Sequence, residues 1–125
     1  MGLTNAMRDL IAADVIGEAI TEFNNANAHL GVGDSSAGFV NTQTDLQGGS
    51  KTRKAMDATF PSRAVNVVTL RATFGTGEAN HAWDEWGVFN AAAAGTMQNR
   101  KVEALGTKTA VQSWQLTATI TWQAA

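Results

Sequence analysis

His29 and His81 are the chain's only imidazoles, and with Asp34, Asp84 or Glu85 nearby they form the one set that could converge on a divalent metal. No HxH or HxxxH pair sets two rings at ligand spacing, so neither a metal nor a cofactor is expected. Asp84 and Glu85, flanked by Trp83 and Trp86, have the composition of a sugar-hydrolysis site, in which two carboxylates straddle a bond and aromatics stack on the ring. Neighbouring residues of a strand face opposite sides of the sheet, so this pair cannot flank one bond. Gly31-Val32-Gly33-Asp34 resembles the start of a phosphate loop, but Ser36 stands where a third glycine is needed and no helix follows. A bulge or tight turn at Gly31 and Gly33, closed by Asp34, is the expectation there. No GxSxG elbow presents a serine nucleophile, and the chain is not expected to be an enzyme.

The remaining candidates are contact residues. Lys51-Thr52-Arg53-Lys54 is the only cationic cluster, and short charge runs of this kind are usually solvated. The tryptophans are expected in the core, with Trp83 or Trp86 as an anchor for a subunit contact, because tryptophan is enriched at interfaces. Trp83, Trp86, Arg53 and Lys54 are therefore the candidate interface.

These residues need a scaffold, and composition bounds it. The 125 residues are 44% hydrophobic, enough for one core, and a single domain over 1–125 is expected. Nine Lys and Arg against eleven Asp and Glu give a net charge of -2, which supplies no field for nucleic acid or anionic lipid. The chain contains no cysteine, so disulfides, thiolate metal sites and cysteine nucleophiles are all excluded. No apolar run has the length of a membrane span, and charges interrupt the first twenty residues, so a soluble protein made in the cytoplasm is expected.

Thr4 or Asn5 can cap a helix over about 5–16, with Met7, Leu10, Ile11 and Val15 along one stripe. Gly17 weakens that helix and Asn24, Asn25 and Asn27 stop it. A short strand is predicted at 28–32, then a long polar loop from Gly33 to Ser50 with one helical turn near Thr44 to Leu46. Alternation marks Val65 to Phe74 as a half-buried strand, with Val68, Leu70, Ala72 and Phe74 on one face. The last strand is equally regular, Trp114, Leu116, Ala118, Ile120 and Trp122 pointing one way. Ala82 to Asn90 and Gln98 to Leu105 form a hairpin across a small-residue connection. One helix and about five or six strands make a mainly β fold, an antiparallel β-sandwich with one N-terminal α-helix. Its threonine-rich, weakly charged faces are poorly defended against edge pairing and suit an assembly.

The order of short motifs carries a resemblance. Thr4-Asn5-Ala6 opens the helix, followed by Leu30-Gly31-Val32-Gly33-Asp34-Ser35, Thr44-Asp45-Leu46, Arg53 and Met56. The strand Val68 to Phe74 comes next, then Glu85-Trp86-Gly87-Val88-Phe89-Asn90 and Gly95-Thr96-Met97. This layout, from Thr4 to about Arg100, resembles tail-collar fibre N-terminal domains and related small virion proteins of tailed bacteriophages. It departs from the collar pattern at Met7, where a glycine would complete the helix start, and these 125 residues include no fibre shaft. The resemblance implies a non-enzymatic virion protein, a capsid decoration (cement) protein first and a tail, neck or fibre-adaptor protein second. It further implies homo-oligomerisation and partners among the major capsid or tail proteins, with the N-terminal helix or the Gly33 to Ser50 loop touching a neighbour. A carbohydrate-binding β-sandwich, with exposed tryptophans stacking on sugar rings, is the alternative from another class.

Overall fold

The computed structural model describes residues 2–123. In chain order the elements are β1 (Gly2–Leu3), α1 (Asn5–Val15), β2 (His29–Gly33), β3 (Lys51–Ala55), β4 (Ser62–Ala64), β5 (Val67–Phe74), β6 (Ala82–Phe89), β7 (Met97–Thr107) and β8 (Trp114–Thr121). The two strands with the cleanest alternation pair with each other. β5 and β8 run antiparallel in unbroken register from Val67 opposite Thr121 to Phe74 opposite Trp114, and β4 joins the other side of β5. Their inward residues Leu70, Ala72, Phe74, Ala118 and Ile120 are buried, as the alternation implies.

The second sheet has the order β1-β7-β6-β2-β3, antiparallel throughout. The three-stranded sheet packs on one face of it, with β5 over β2 and β3, and the fold is an antiparallel sandwich. Leu30, Val32, Trp83, Trp86 and Val88 complete the core from the larger sheet. Trp83 and Trp86 are three residues apart yet share this face because the β6–β7 register shifts between Trp83 and Glu85. Trp83 meets Phe74 and Trp114 edge to face, at 4.9 and 5.1 Å between ring centres.

The described chain has eight strands where about five or six are expected. β1, β3 and β4 have two to five residues each and show no apolar alternation, so their pairing comes from neighbours rather than from their own pattern. The helical turn predicted near Thr44 to Leu46 does not form. Gly31 and Gly33 lie inside β2, whose register with β3 and β6 is continuous, so the predicted bulge or tight turn is absent too. Asp34 does bond through its side chain, but to the backbone of Ser50 at the far end of the loop.

Thr4 caps α1, its hydroxyl accepting from the Met7 amide while donating to the Met97 carbonyl, and the Thr4 amide donates to the Gln98 carbonyl. The helix ends at Val15, with Gly17 just beyond it at φ +83°, a left-handed conformation that favours glycine. Gly17 thus closes the helix before the asparagines are reached, and Asn24 to Asn27 form a separate turn. Of the predicted stripe only Met7 is buried; Leu10 and Ile11 are half-buried, and Val15 is 79% exposed.

Candidate functional site

The outer face of the larger sheet gathers the charged residues. A cross-strand row there reads Gly2, Arg100, Gly87, Gly31 and Arg53, from β1 through β7, β6 and β2 to β3. Glycines in the middle of that row leave a trough. A Cβ on Gly31 would stand 2.6 Å from the Phe89 ring and 3.2 Å from Leu46, and one on Gly33 2.5 Å from Glu85 Oε2. The 34–50 loop uses the space by laying Leu46 against Phe89 and Met97, a second small core. One arginine stands on each side of the trough and grips the loop.

Arg100 Nε donates to Glu85 Oε1 at 2.7 Å, and both side chains are fully buried. The same carboxylate accepts from the amides of Gln47 (2.8 Å), Gly48 (2.7 Å) and Ser35 (3.1 Å), so it ties β6 to both halves of the loop. Arg100 Nη1 reaches Gln43 Oε1 at 3.3 Å, while Nη2 has no hydrogen-bond partner. A buried ion pair recovers its desolvation cost only when the remaining lone pairs and protons are satisfied; four donors meet that condition at Glu85, while Arg100 Nη2 leaves it unmet on the cation's side.

On the other side, the Arg53 guanidinium lies 3.6 Å over the Phe89 ring. It donates to the Ala91 and Ala94 carbonyls at 2.9 Å each and to Asp45 at 3.3 Å. Lys51 reaches the other Asp45 oxygen at 2.9 Å. Burial raises the Asp45 pKa, but hydrogen bonds from Lys51, the Leu46 amide and Arg53 outweigh it and hold the carboxyl below its ordinary value. A shallow depression of about 250 Å³ lies between these residues and Ala92 to Ala94. The one carboxylate there, Asp45, is shared by both cations, and Arg53 is further engaged by the Ala91 and Ala94 carbonyls.

The four candidate interface residues separate. Trp83 and Trp86 are 2% and 6% exposed, so the expectation that one anchors a subunit contact is corrected: the register shift and the aromatic packing turn both into the core. Their indole N–H groups are satisfied internally, by the Ala79 carbonyl and by Glu103. Arg53, with only 12% of its side chain exposed, is the loop clamp. Lys54 pairs with Glu78 at 2.6 Å and remains about a third exposed. That bond, then one from the Gly75 amide, lowers the Glu78 pKa. The indoles left accessible are Trp114, half-buried, and Trp122, 38% exposed.

The histidines bond elsewhere than to carboxylates. His29 Nδ1 lies 2.8 Å from the Asn27 carbonyl, and His81 contacts the Thr52 hydroxyl and the Ala82 carbonyl. Among the described residues no three His, Asp or Glu side chains gather into a metal-sized group. Glu85 is fully buried and Asp84 half-buried, which leaves the two carboxylates in unlike environments.

No family model, curated protein or solved structure matches the chain. Within the chain itself, part of the short-motif set quoted above meets at the trough, while Leu30, Val32, Met56, Leu70, Phe74, Trp86 and Val88 lie in the main core. Gly31, Gly33, Ser35, Asp45, Leu46, Arg53, Glu85, Gly87, Phe89 and Met97 build the trough and its strap. Asn90 closes the β6–β7 turn, bonding Thr96 through backbone and side chain. Arg100, Gln43 and Gln47 belong to the same construction and were missed by sequence reasoning. Their signal is the pair of glycines at alternate positions of β2, Gly31 and Gly33, with Gly87 in β6, which marks a close approach of another segment.

Proposed function

We propose that this chain is a non-enzymatic structural component of a tailed-phage virion, most simply a capsid decoration protein bound to the assembled head, with a tail, neck or fibre-adaptor role as the alternative. The observation that supports this reading is the use to which the layout motifs are put. Their charged and polar side chains hold the 34–50 loop on the sheet, where they stiffen a small β scaffold. The requirement on a cement protein is a rigid core and a broad adhesive surface that adds binding free energy to the shell. The far end of α1, with Val15 and Ile16 79% and 74% exposed, is the segment best suited to touch a neighbour. The test is quantitative mass spectrometry of purified particles after heads are separated from tails. Many copies with the heads support decoration, and a few with the tails support the adaptor role. Absence from both fractions overturns the virion reading.

A glycan-binding module is the second reading, favoured by one observation. Trp114 lines an open groove of about 380 Å³ with Ser113, Gln115 and Leu116, and an indole beside amide and hydroxyl groups suits a sugar ring. Loss of oligosaccharide binding in Trp114→Ala, with the fold intact, would favour it.

A further inference from the structure

The two sheets end in four edge strands among the described residues, and three of them are protected. β1 has two residues; β4 has three, directly after Pro61 and carrying Arg63; β3 carries Lys51, Arg53 and Lys54. Short edges, proline and charge are the usual means by which a sheet avoids adding another strand. β8 has none of these. It runs for eight residues, Trp-Gln-Leu-Thr-Ala-Thr-Ile-Thr, without charge, proline, glycine or any break in its register with β5. Outside β5, no described group bonds the backbone of residues 115–121, so the outward N–H and C=O groups of this edge are free. Gln115, Thr117, Thr119 and Thr121 are exposed on the solvent face. Besides the groove at Trp114 and Leu116, a separate one of about 300 Å³ lies at the other end of the strand, at Leu3, Ile120 and Trp122.

We propose that β8 is the strand-pairing edge for a second copy of this chain, the two β8 strands lying antiparallel about a twofold axis. The three-stranded sheets then fuse into one of six strands, β4-β5-β8-β8-β5-β4. Free backbone groups in a row demand an extended strand as occupant, and the side chains select this chain's own β8. A twofold axis sets like residues near like, which a charged edge such as β3 would resist and an uncharged one accepts. On the solvent face every antiparallel self-register opposes hydroxyl or amide to hydroxyl or amide, and Thr–Thr pairs across strands are favourable. On the inner face a register centred on Ala118 sets Leu116 against Ile120 and Trp114 against Trp122 of the second copy, covering the accessible indoles of both. The inference stands on the edge alone and does not depend on the virion reading.

Sedimentation velocity over a range of concentrations tests it, with three proteins. The native chain sediments as a dimer. Thr117→Lys combined with Thr119→Lys changes only exposed positions and sets ammonium groups across the axis, raising the dimer dissociation constant by about tenfold or more. Val40→Lys, an exposed apolar position in the 34–50 loop, leaves the dimer unchanged while altering net charge by one. Far-UV circular dichroism identical across the three keeps the comparison on association rather than folding. A native chain that stays monomeric, with or without affinity for sugar, overturns the proposal. A dimer indifferent to the β8 lysines overturns it equally.

Discussion

The Glu85 carboxylate fastens two strands and a loop at one point, since one buried side chain satisfies Arg100 and three loop amides. Glu85→Gln keeps the shape and removes the charge, leaving a buried guanidinium without its counter-ion. Breaking such a pair costs about 3–5 kcal/mol, whereas replacing both partners by apolar residues is often near neutral. Urea unfolding should therefore show a large loss of stability for Glu85→Gln and a smaller one for Glu85→Leu with Arg100→Leu. Gly87 is a second sensitive position. A Cβ there would stand 2.7 Å from the Asn99 carbonyl oxygen, a backbone atom of the paired strand that cannot swing aside. Gly87→Ala is expected to cost about 1–3 kcal/mol through overpacking, read from the same denaturation curves. Neither residue was legible as a structural centre in the sequence. Glu85 sits beside Asp84 in a strand, where two carboxylates read as surface or catalytic groups, and only the loop that folds over them gives Glu85 its role.

At the scale of elements, the 34–50 loop is a strap whose two fastenings differ in character. Glu85 and Arg100 form a dry one, while Asp45, with its side chain 38% exposed, shares Lys51 and Arg53 near solvent. Because the Asp45 pKa is lowered in the folded state, its contribution is fully present above the ordinary carboxylate pKa of about 3.9 and is lost as the pH falls through the lower folded value. Amide hydrogen exchange in residues 44–46 and 91–94 should accelerate, relative to the intrinsic rate, as the pH drops below about 4, with β5 unaffected. Asp45→Asn should show the faster exchange already at neutral pH. The elements that could be read from sequence are those whose own side chains pay out a period: α1 from its cap and stripe, β5 and β8 from strict alternation. β3, with Lys-Thr-Arg-Lys-Ala, becomes a strand only because β2 lies beside it, and the strap finds its place only because glycines on other strands leave a trough.

For the whole molecule, the sandwich leaves one flank open, along β8, and closes the other with charge. Pairing at β8 would make thermal stability depend on protein concentration, since whatever binds only the folded state stabilises it by mass action. Differential scanning calorimetry should accordingly show Tm rising with concentration for the native chain and a flatter dependence for the variant with lysines at 117 and 119. The fold class and the main core follow from the alternating strands and the apolar content, while the second small core at Leu46, Phe89 and Met97 does not. The paired edge, by contrast, shows itself only when the four edges are set side by side, because threonine-rich β8 differs from its protected counterparts in what it lacks.

The antiparallel match of Gly2 with Arg100, together with the bonds from Thr4 to the Met97 and Gln98 carbonyls, joins the first residues to a strand made almost a hundred positions later. On the ribosome residues 2–4 therefore lack their strand partner until residues 97–100 have left the exit tunnel, and β5 waits longer still for β8. Such non-local pairings fold slowly and leave strand edges uncovered meanwhile. The β2–β3 and β4–β5 pairings can form first, and the free side of β5 stays uncovered until its own β8, or that of a neighbour, reaches it.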